Sequence, residues 1–289
     1  STFALGTTPV NCSATDSRNH TTSGSFNIIV VDTTAPSVTP PADITLEATG
    51  TTTAVTLGTA TASDLVSGVL IPTPDNTGPF AVGIHQITWS ATDAAAKTGS
   101  AIQTVTITDS AAPTLSLPAT ITAEATSAAG AVVSYTASAS DTADGAIIPS
   151  CTPLSGSTFA LGTTPVNCSA TDSSNHTTSG SFNIIVVDTT APQICLIGNS
   201  SMTINVGDVF VDPGSNVTDN VSQNLVATVS GTVNANVVGF YTLTYSAVDG
   251  ANNNAQSVER NITVQDSNAP IVTAPDNIIV AATDGTGTA

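Results

Sequence analysis

The stretch Ser157–Pro192 reads S-T-F-A-L-G-T-T-P-V-N-C-S-A-T-D-S-S-N-H-T-T-S-G-S-F-N-I-I-V-V-D-T-T-A-P. The same 36 residues open the chain at Ser1–Pro36 with a single change, Arg18 for Ser174. Self-similarity on this scale marks a tandem array in which one structural unit recurs. The closing D-T-T-A-P supplies the period. It returns as D-S-A-A-P at Asp109–Pro113 and D-S-N-A-P at Asp266–Pro270, so Asp32, Asp109, Asp188 and Asp266 stand 77, 79 and 78 residues apart. Three whole modules follow, 32–108, 109–187 and 188–265. The C-terminal part of another precedes them at 1–31, and the N-terminal part of a further one follows at 266–289. Both ends of the sequence fall inside a module, and the chain is read as a window of a longer protein.

Within a module the residues alternate with period two, which is the signature of half-buried strands. Val166, Cys168 and Ala170 point one way and Asn167, Ser169 and Thr171 the other. A turn at Asp172–His176 leads into a strand with Phe182, Ile184 and Val186 on its inner face. The equivalents are Gln86–Asp93 with Ala101–Thr108, and Thr242–Asp249 with Val258–Gln265. The first half of each module carries a Pro-flanked strand (Ala42–Ala48, Ala119–Ala125, Ser201–Val206), then a second alternating strand such as Ala131–Ala137 and an acidic loop. No segment shows a capped 3.6-residue period. About seven short strands in ~78 residues predict an all-β chain of tandem immunoglobulin-like β-sandwich modules. The proline of each D-x-x-A-P fixes φ and holds the preceding alanine extended. The junctions are therefore expected to be short and stiff, with the modules aligned as a rod.

Composition narrows the function. Charged residues make up 8% of the chain and hydrophobic ones 40%, with a net charge of −18. Arg18, Lys97 and Arg260 are the whole basic complement. Nucleic-acid binding needs clustered Lys and Arg to release counterions from phosphates, which excludes nucleic acid as a partner, and an anionic membrane surface is disfavoured for the same reason. No apolar run reaches the roughly 18–20 residues of a spanning helix, so no membrane insertion is expected in this segment. His20 and His176 occupy copies of one turn position and are expected to be surface histidines, with His85 beside a strand. No nucleophile–base frame and no metal-protease motif accompanies them, so the chain is read as a non-enzyme. Zinc would need clustered His or Cys at ligand spacing, which the local sequence lacks.

Modules 32–108 and 109–187 resemble HYR (hyalin repeat) domains, an Ig-like extracellular repeat linked with cell adhesion. The resemblance rests on the D-x-x-A-P start, Cys151 ahead of Gly156–Thr164, Val166–Asp172 and the closing Phe182–Val187. Module 188–265 departs from it. Gly207-Asp208, Asp212-Pro213-Gly214, Thr218-Asp219-Asn220 and Gly239–Tyr245 are similar to a bacterial Ig-like domain of surface and secreted proteins. The HYR pattern implies a disulfide between Cys151 and Cys168, worth ~3 kcal/mol for a loop of this length, and hence an oxidising compartment outside the cytoplasm. Trp89 stands in the place of Cys168 one module earlier, with Thr73 near the place of Cys151, and Tyr245 stands there one module later. Cys12 repeats Cys168. Cys195 has no partner in its module and is expected to be a buried thiol or to join something outside the chain.

Fourteen of the 21 acids fall into four repeating classes. They are the linker (Asp32, Asp109, Asp188, Asp266), the hairpin turn (Asp16, Asp93, Asp172, Asp249), the mid-module loop (Asp64, Asp141, Asp144, Asp219) and the early strand (Glu47, Glu124). In an end-to-end array these can meet at a module junction. Asp266–Pro270 resembles in part the linker through which cadherins bind calcium. The candidate ligands of junctional Ca2+ are thus Asp32, Glu47, Asp64, Asp93, Asp109, Glu124, Asp141, Asp172, Asp188, Asp219, Asp249 and Asp266, because calcium takes six to eight oxygens. Aspartate also opens turns with no metal at all, which is the competing account. Asn19 and Asn175 lie in N-x-[ST] sequons on exposed turns and are candidate glycan acceptors. The reading is a structural or adhesive extracellular repeat protein, part of a stalk, fibre or surface layer that self-associates or meets neighbouring copies. Its rivals are modules that bind a carbohydrate, glycan or cell-surface receptor, and the accessory region of a large secreted enzyme.

Overall fold

The alternating Thr/Val/Ile stretches become strands throughout the computed structural model, which describes residues 1–282 and Gly285 and contains no helix among them. A hairpin of β1 (Gly6–Thr15) and β2 (Thr21–Val30) comes first. The first whole module holds β3 (Ser37–Thr39), β4 (Ile44–Glu47), β5 (Thr61–Asp64), β6 (Gly68–Leu70), β7 (Thr73–Pro74), β8 (Gly83–Thr92) and β9 (Thr98–Thr108). The second holds β10 (Thr114–Ser116), β11 (Ile121–Glu124), β12 (Ala131–Val133), β13 (Ser138–Asp141), β14 (Gly145–Ile147), β15 (Ser150–Thr152), β16 (Ser157–Phe159), β17 (Gly162–Thr171) and β18 (Thr177–Val187). The third holds β19 (Gln193–Leu196), β20 (Ser201–Asn205), β21 (Ser215–Thr218), β22 (Thr228–Ser230), β23 (Gly239–Ser246) and β24 (Val258–Gln265). Contacts group the chain into two units. One comprises Ser1–Ala119, Tyr135–Ser155 and Pro165–Phe182; the other comprises Thr120–Ser134, Gly156–Thr164 and the residues from Asn183 on.

In the first unit, module 32–108 is a sandwich of a three-stranded sheet, β3-β5-β6, and a four-stranded sheet, β4-β9-β8-β7. Ile87 and Trp89 of β8 and Val105 and Ile107 of β9 meet Leu57, Ala60 and Phe80 of the connecting segments in one core, with Val38 of the three-stranded sheet and Ile44 packed against it. The long β8–β9 hairpin is the predicted one. The early strand β4 pairs with the last strand β9 in parallel, from Ile44↔Val105 to Glu47↔Thr108. This puts Glu47 beside the linker that leaves the module. Pro36 is buried, and a Cβ on Gly99 would lie 1.8 Å from the Pro36 carbonyl oxygen. The linker backbone therefore lies directly on β9 at a place only glycine leaves open. The same unit holds the β10-β13-β14 sheet and the β15–β17 pairing, which sets Cys151 opposite Cys168.

The second unit contains the parallel pairing of β11 with the end of β18, Ile121↔Ile184 to Glu124↔Val187, and the β12–β16 pair. It also contains the sandwich of module 188–265, with sheets β19-β21 and β20-β24-β23-β22. Leu243, Tyr245, Ile262 and Val264 form its buried core, with Ile194, Leu196 and Met202 packed on them.

The predicted disulfide between Cys151 and Cys168 is present. Two expectations need correction. Cys195 is exposed, not buried, because its side of the short edge strand β19 faces outward. The residue across from Trp89 is Pro74, one place on from Thr73. Separately, residues 266–282 are exposed and carry no strand. Cys12, the copy of Cys168, is exposed and free.

Candidate functional site

Each aspartate class grows from a different part of the fold. The linker aspartates precede the first strand, the loop aspartates end or follow a short strand (β5, β13, β21), and the turn aspartates follow the long strands β8, β17 and β23. Sandwich packing brings one of each class together at the end of the module where the linker enters. Asp32, Asp64 and Asp93 offer ligand oxygens all within 4.8 Å of one another, and Asp188, Asp219 and Asp249 do the same. In the middle module Asp109 belongs to two such groups, one with Asp141 and Asp144, the other with Asp172 and His176.

The carboxylates share a division of labour. One oxygen closes a local turn. Asp64 Oδ1 accepts from the amides of Val66 (2.8 Å) and Ser67 (2.7 Å). Asp93 Oδ1 accepts from the Lys97 amide (2.8 Å), and Asp219 Oδ1 accepts from Val221 (2.8 Å) and Ser222 (2.6 Å). The Ser67 amide, against the cost of burial, holds the Asp64 carboxyl below its ordinary value. The second oxygen is different. Oδ2 of Asp32, Asp93, Asp109, Asp188 and Asp219 is buried and has no hydrogen-bond partner. An unpaired buried carboxylate oxygen costs free energy unless something charged meets it. Asp93 is 6% exposed as a whole residue, so water does not supply that partner freely. Around Asp188, burial and then the charges of Asp249, Asp219 and Glu124 push its carboxyl upward.

The early-strand glutamates do not enter these groups. Glu47 accepts from the Ser110 amide (2.6 Å), its hydroxyl (2.9 Å) and the Thr108 hydroxyl (2.8 Å). Glu124 accepts from the Thr189 amide and hydroxyl (both 2.8 Å) and the Thr190 hydroxyl (2.9 Å). Those bonds, the backbone ones first, hold both carboxyls low. The glutamates thus fasten the linker whose aspartate opens the next cluster. Asn220 Nδ2 donates to the Ala125 carbonyl (2.8 Å), and Asn253 Nδ2 donates to that of Asp188 (3.1 Å). Asp266 is exposed and closes only its own turn, accepting from the Asn268 amide at 3.1 Å.

Reading the sequence by local spacing missed His176. Its side chain is 37% exposed, as expected of a turn histidine, but its Nδ1 lies 3.2 Å from Asp172 Oδ2, and the Asp172 side chain is fully buried. Asp109 and His176 are far apart in sequence, so no motif scan finds them; the signal was the period itself. Asn19 and Asn175 sit on exposed turns with φ of 60° and 70°.

Residues 108–186 match the family described as HYR domain, and residues 194–264 the one described as bacterial surface protein, Ig-like domain. Hyalin of Strongylocentrotus purpuratus is 30% identical over 311 aligned positions, covering 99% of this chain and 26% of the relative, so the chain spans about a quarter of it. Among solved structures, the protocadherin gamma B4 extracellular domain aligns with TM-score 0.36 at 16% identity, over 91% of this chain and 56% of that one. Mouse cadherin-23 EC22-24 aligns with TM-score 0.28 at 16% identity, over 80% and 99%. The chain is a tandem of modules similar to HYR and bacterial surface Ig-like domains, and it is extracellular or displayed on the cell surface.

Proposed function

We propose that this tandem of surface modules is a non-enzymatic segment of a structural and adhesive array, with junctions locked by divalent cations, calcium first, at the three aspartate clusters. The observation that carries the reading is their recurrence. Asp32–Asp64–Asp93, Asp109–Asp141–Asp144 with Asp172, and Asp188–Asp219–Asp249 each gather linker, loop and turn acids of one module. Buried oxygens in every cluster lack a hydrogen-bond partner. Without a cation such a group suffers both desolvation and mutual repulsion. Calcium relieves both, because it accepts carboxylate and carbonyl oxygens in flexible geometry. Since Glu47 and Glu124 tie the following linker to the preceding module, a cation on the linker aspartate would stiffen the joint from both sides. Asp266 would act as a ligand only beside the loop and turn acids of a further module.

A stiff chain with few charged residues, its clustered acids neutralised by cations, suits lateral or end-to-end association with copies of itself in a filament or surface layer, and the modules would present a surface to glycan or cell-surface ligands. Exposure of Asn19 and Asn175 supports glycan attachment there in a host with that chemistry. The test is thermal melting of the chain after EDTA and again with millimolar Ca2+. The expected result is a higher melting temperature with Ca2+, worth about 2.7 kcal/mol per site at a hundred times the dissociation constant. Asp188→Asn should lose the third site's share. Identical melting curves with and without Ca2+ would sink the proposal.

A further inference from the structure

The three clusters differ at one position, four residues after the hairpin-turn aspartate, where Lys97, His176 and Asn253 stand in turn. Asn253 spends its side chain within the third cluster, where Nδ2 donates to Asp249 Oδ2 at 2.8 Å. Lys97 is exposed and brings no ligand atom. His176 alone brings a nitrogen ligand.

We propose that the Asp109–Asp172–His176 group takes a first-row transition cation, represented by zinc(II), through the His176 imidazole, unlike the all-oxygen clusters of the first and third modules. This rests on the reading of the clusters as divalent-cation sites and assigns the ion at one of them. Its first support is the donor set. Imidazole with carboxylate suits zinc, whereas calcium is served by oxygen. The ligand atoms of the three residues already lie within 4.8 Å of one another. The second support is spacing. Zinc bonds of roughly 2.0–2.1 Å in a tetrahedron hold two donor atoms about 3.3 Å apart, and the shared turn, through a hydrogen bond, already sets Asp172 Oδ2 3.2 Å from His176 Nδ1. The third is the buried Asp109 Oδ2, which has no partner and would complete a three-ligand set with an open position for water or for an oxygen of Asp141. The duplicated hairpin is an internal control. Asp16 and His20 stand at the same 3.2 Å with side chains 52% and 80% exposed, against 0% for Asp172 and 37% for His176.

The experiment titrates the intact, Ca2+-saturated chain with Zn2+ by calorimetry and with Co2+ by visible absorption. His176→Asn, which installs the third module's residue, and His20→Asn are compared with it. Expected are one Zn2+ per chain, a cobalt d–d band, a loss of affinity of roughly tenfold or more in His176→Asn, and no change in His20→Asn. Absence of stoichiometric Zn2+ binding, equal binding by His176→Asn, or an equal loss in His20→Asn overturns the proposal. Ca2+-dependent melting of His176→Asn separates the two readings. If melting still responds to Ca2+ while zinc fails to bind, only the zinc assignment falls. If neither cation shifts the melting of any form, both fall.

Discussion

Tyr245, Trp89 and Cys168 fill one core slot in successive modules, and the partner at the corresponding place on the last strand changes with them. Trp89 Nε1 donates to Gln103 Oε1 at 3.0 Å, and Gln103 in turn donates to the carbonyls of Ala42 (2.7 Å) and Leu57 (2.9 Å). Cys168 instead bonds Cys151, and Phe182 takes the place of Gln103. Around Tyr245 stands Arg260, fully buried. Arg260 Nη1 pairs with Asp212, and its Nη2 donates to the carbonyls of Ile197 (2.6 Å) and Gly214 (3.1 Å). The Tyr245 hydroxyl donates to Asp212 at 2.6 Å. Burial, and then the Asp212 carboxylate, pushes the tyrosine up to about 12 from an ordinary value of 10.0. Because the folded value is raised, the neutral tyrosine's contribution is complete below pH 10 and is lost as pH rises from there towards 12. Stability should fall in that window by about 1.4 kcal/mol per pH unit. Alkaline unfolding followed by circular dichroism checks this, and Tyr245→Phe should flatten the slope. The aromatic-for-cysteine exchange was legible in the sequence. Gln103 and Arg260 were not, because a polar residue on an alternating strand looks like a surface residue until the opposite sheet covers it.

At the level of the element, four hairpin turns share one conformation. In each, the amide of the aspartate donates to the carbonyl four residues on, as in Asp93 to Lys97 (3.0 Å) and Asp172 to His176 (3.1 Å). The fourth residue of each turn adopts positive φ: Asn19 (60°), Ala96 (63°), Asn175 (70°) and Asn252 (70°). Asparagine tolerates that region and alanine pays for its Cβ there. Ala96→Asn should therefore stabilise the first whole module by about 1 kcal/mol, read as a higher denaturant midpoint at unchanged slope. A lower midpoint would mean that the Ala96 methyl group contributes packing that outweighs the strain. The hairpins themselves were readable, since alternation and a D-x-x-N turn are local. The parallel pairing of β4 with β9 and of β11 with β18 was not, because it joins strands some sixty residues apart and leaves no local mark.

For the molecule as a whole, 21 acids face three bases, and the clusters concentrate part of that charge. Cation-free protein should melt at a higher temperature as NaCl rises from 10 mM, where the screening length is roughly 30 Å, to 150 mM, where it is about 8 Å. With Ca2+ bound the dependence should shrink, since the densest repulsion is already neutralised; a flat salt response without Ca2+ would place the acids too far apart to matter. The 36-residue duplication separates what the sequence determines from what the tertiary structure decides. Both copies form the same hairpin, with Thr15 and Thr21 hydroxyls 2.8 Å apart in one and Thr171 and Thr177 2.7 Å apart in the other. Their histidine–aspartate contacts are also equal. Those interactions span a few residues, so the strands, turn and register follow from the local sequence. Burial does not. With only the β1–β2 hairpin of its module in this sequence, Phe26 is 55% exposed, whereas its copy Phe182, covered by the rest of module 109–187, is 7% exposed; Asp16 and Asp172 differ in the same way. The linker and loop aspartates that turn one hairpin's acid into a cluster lie about thirty or more residues away in sequence, and only the packing of two sheets brings them within reach.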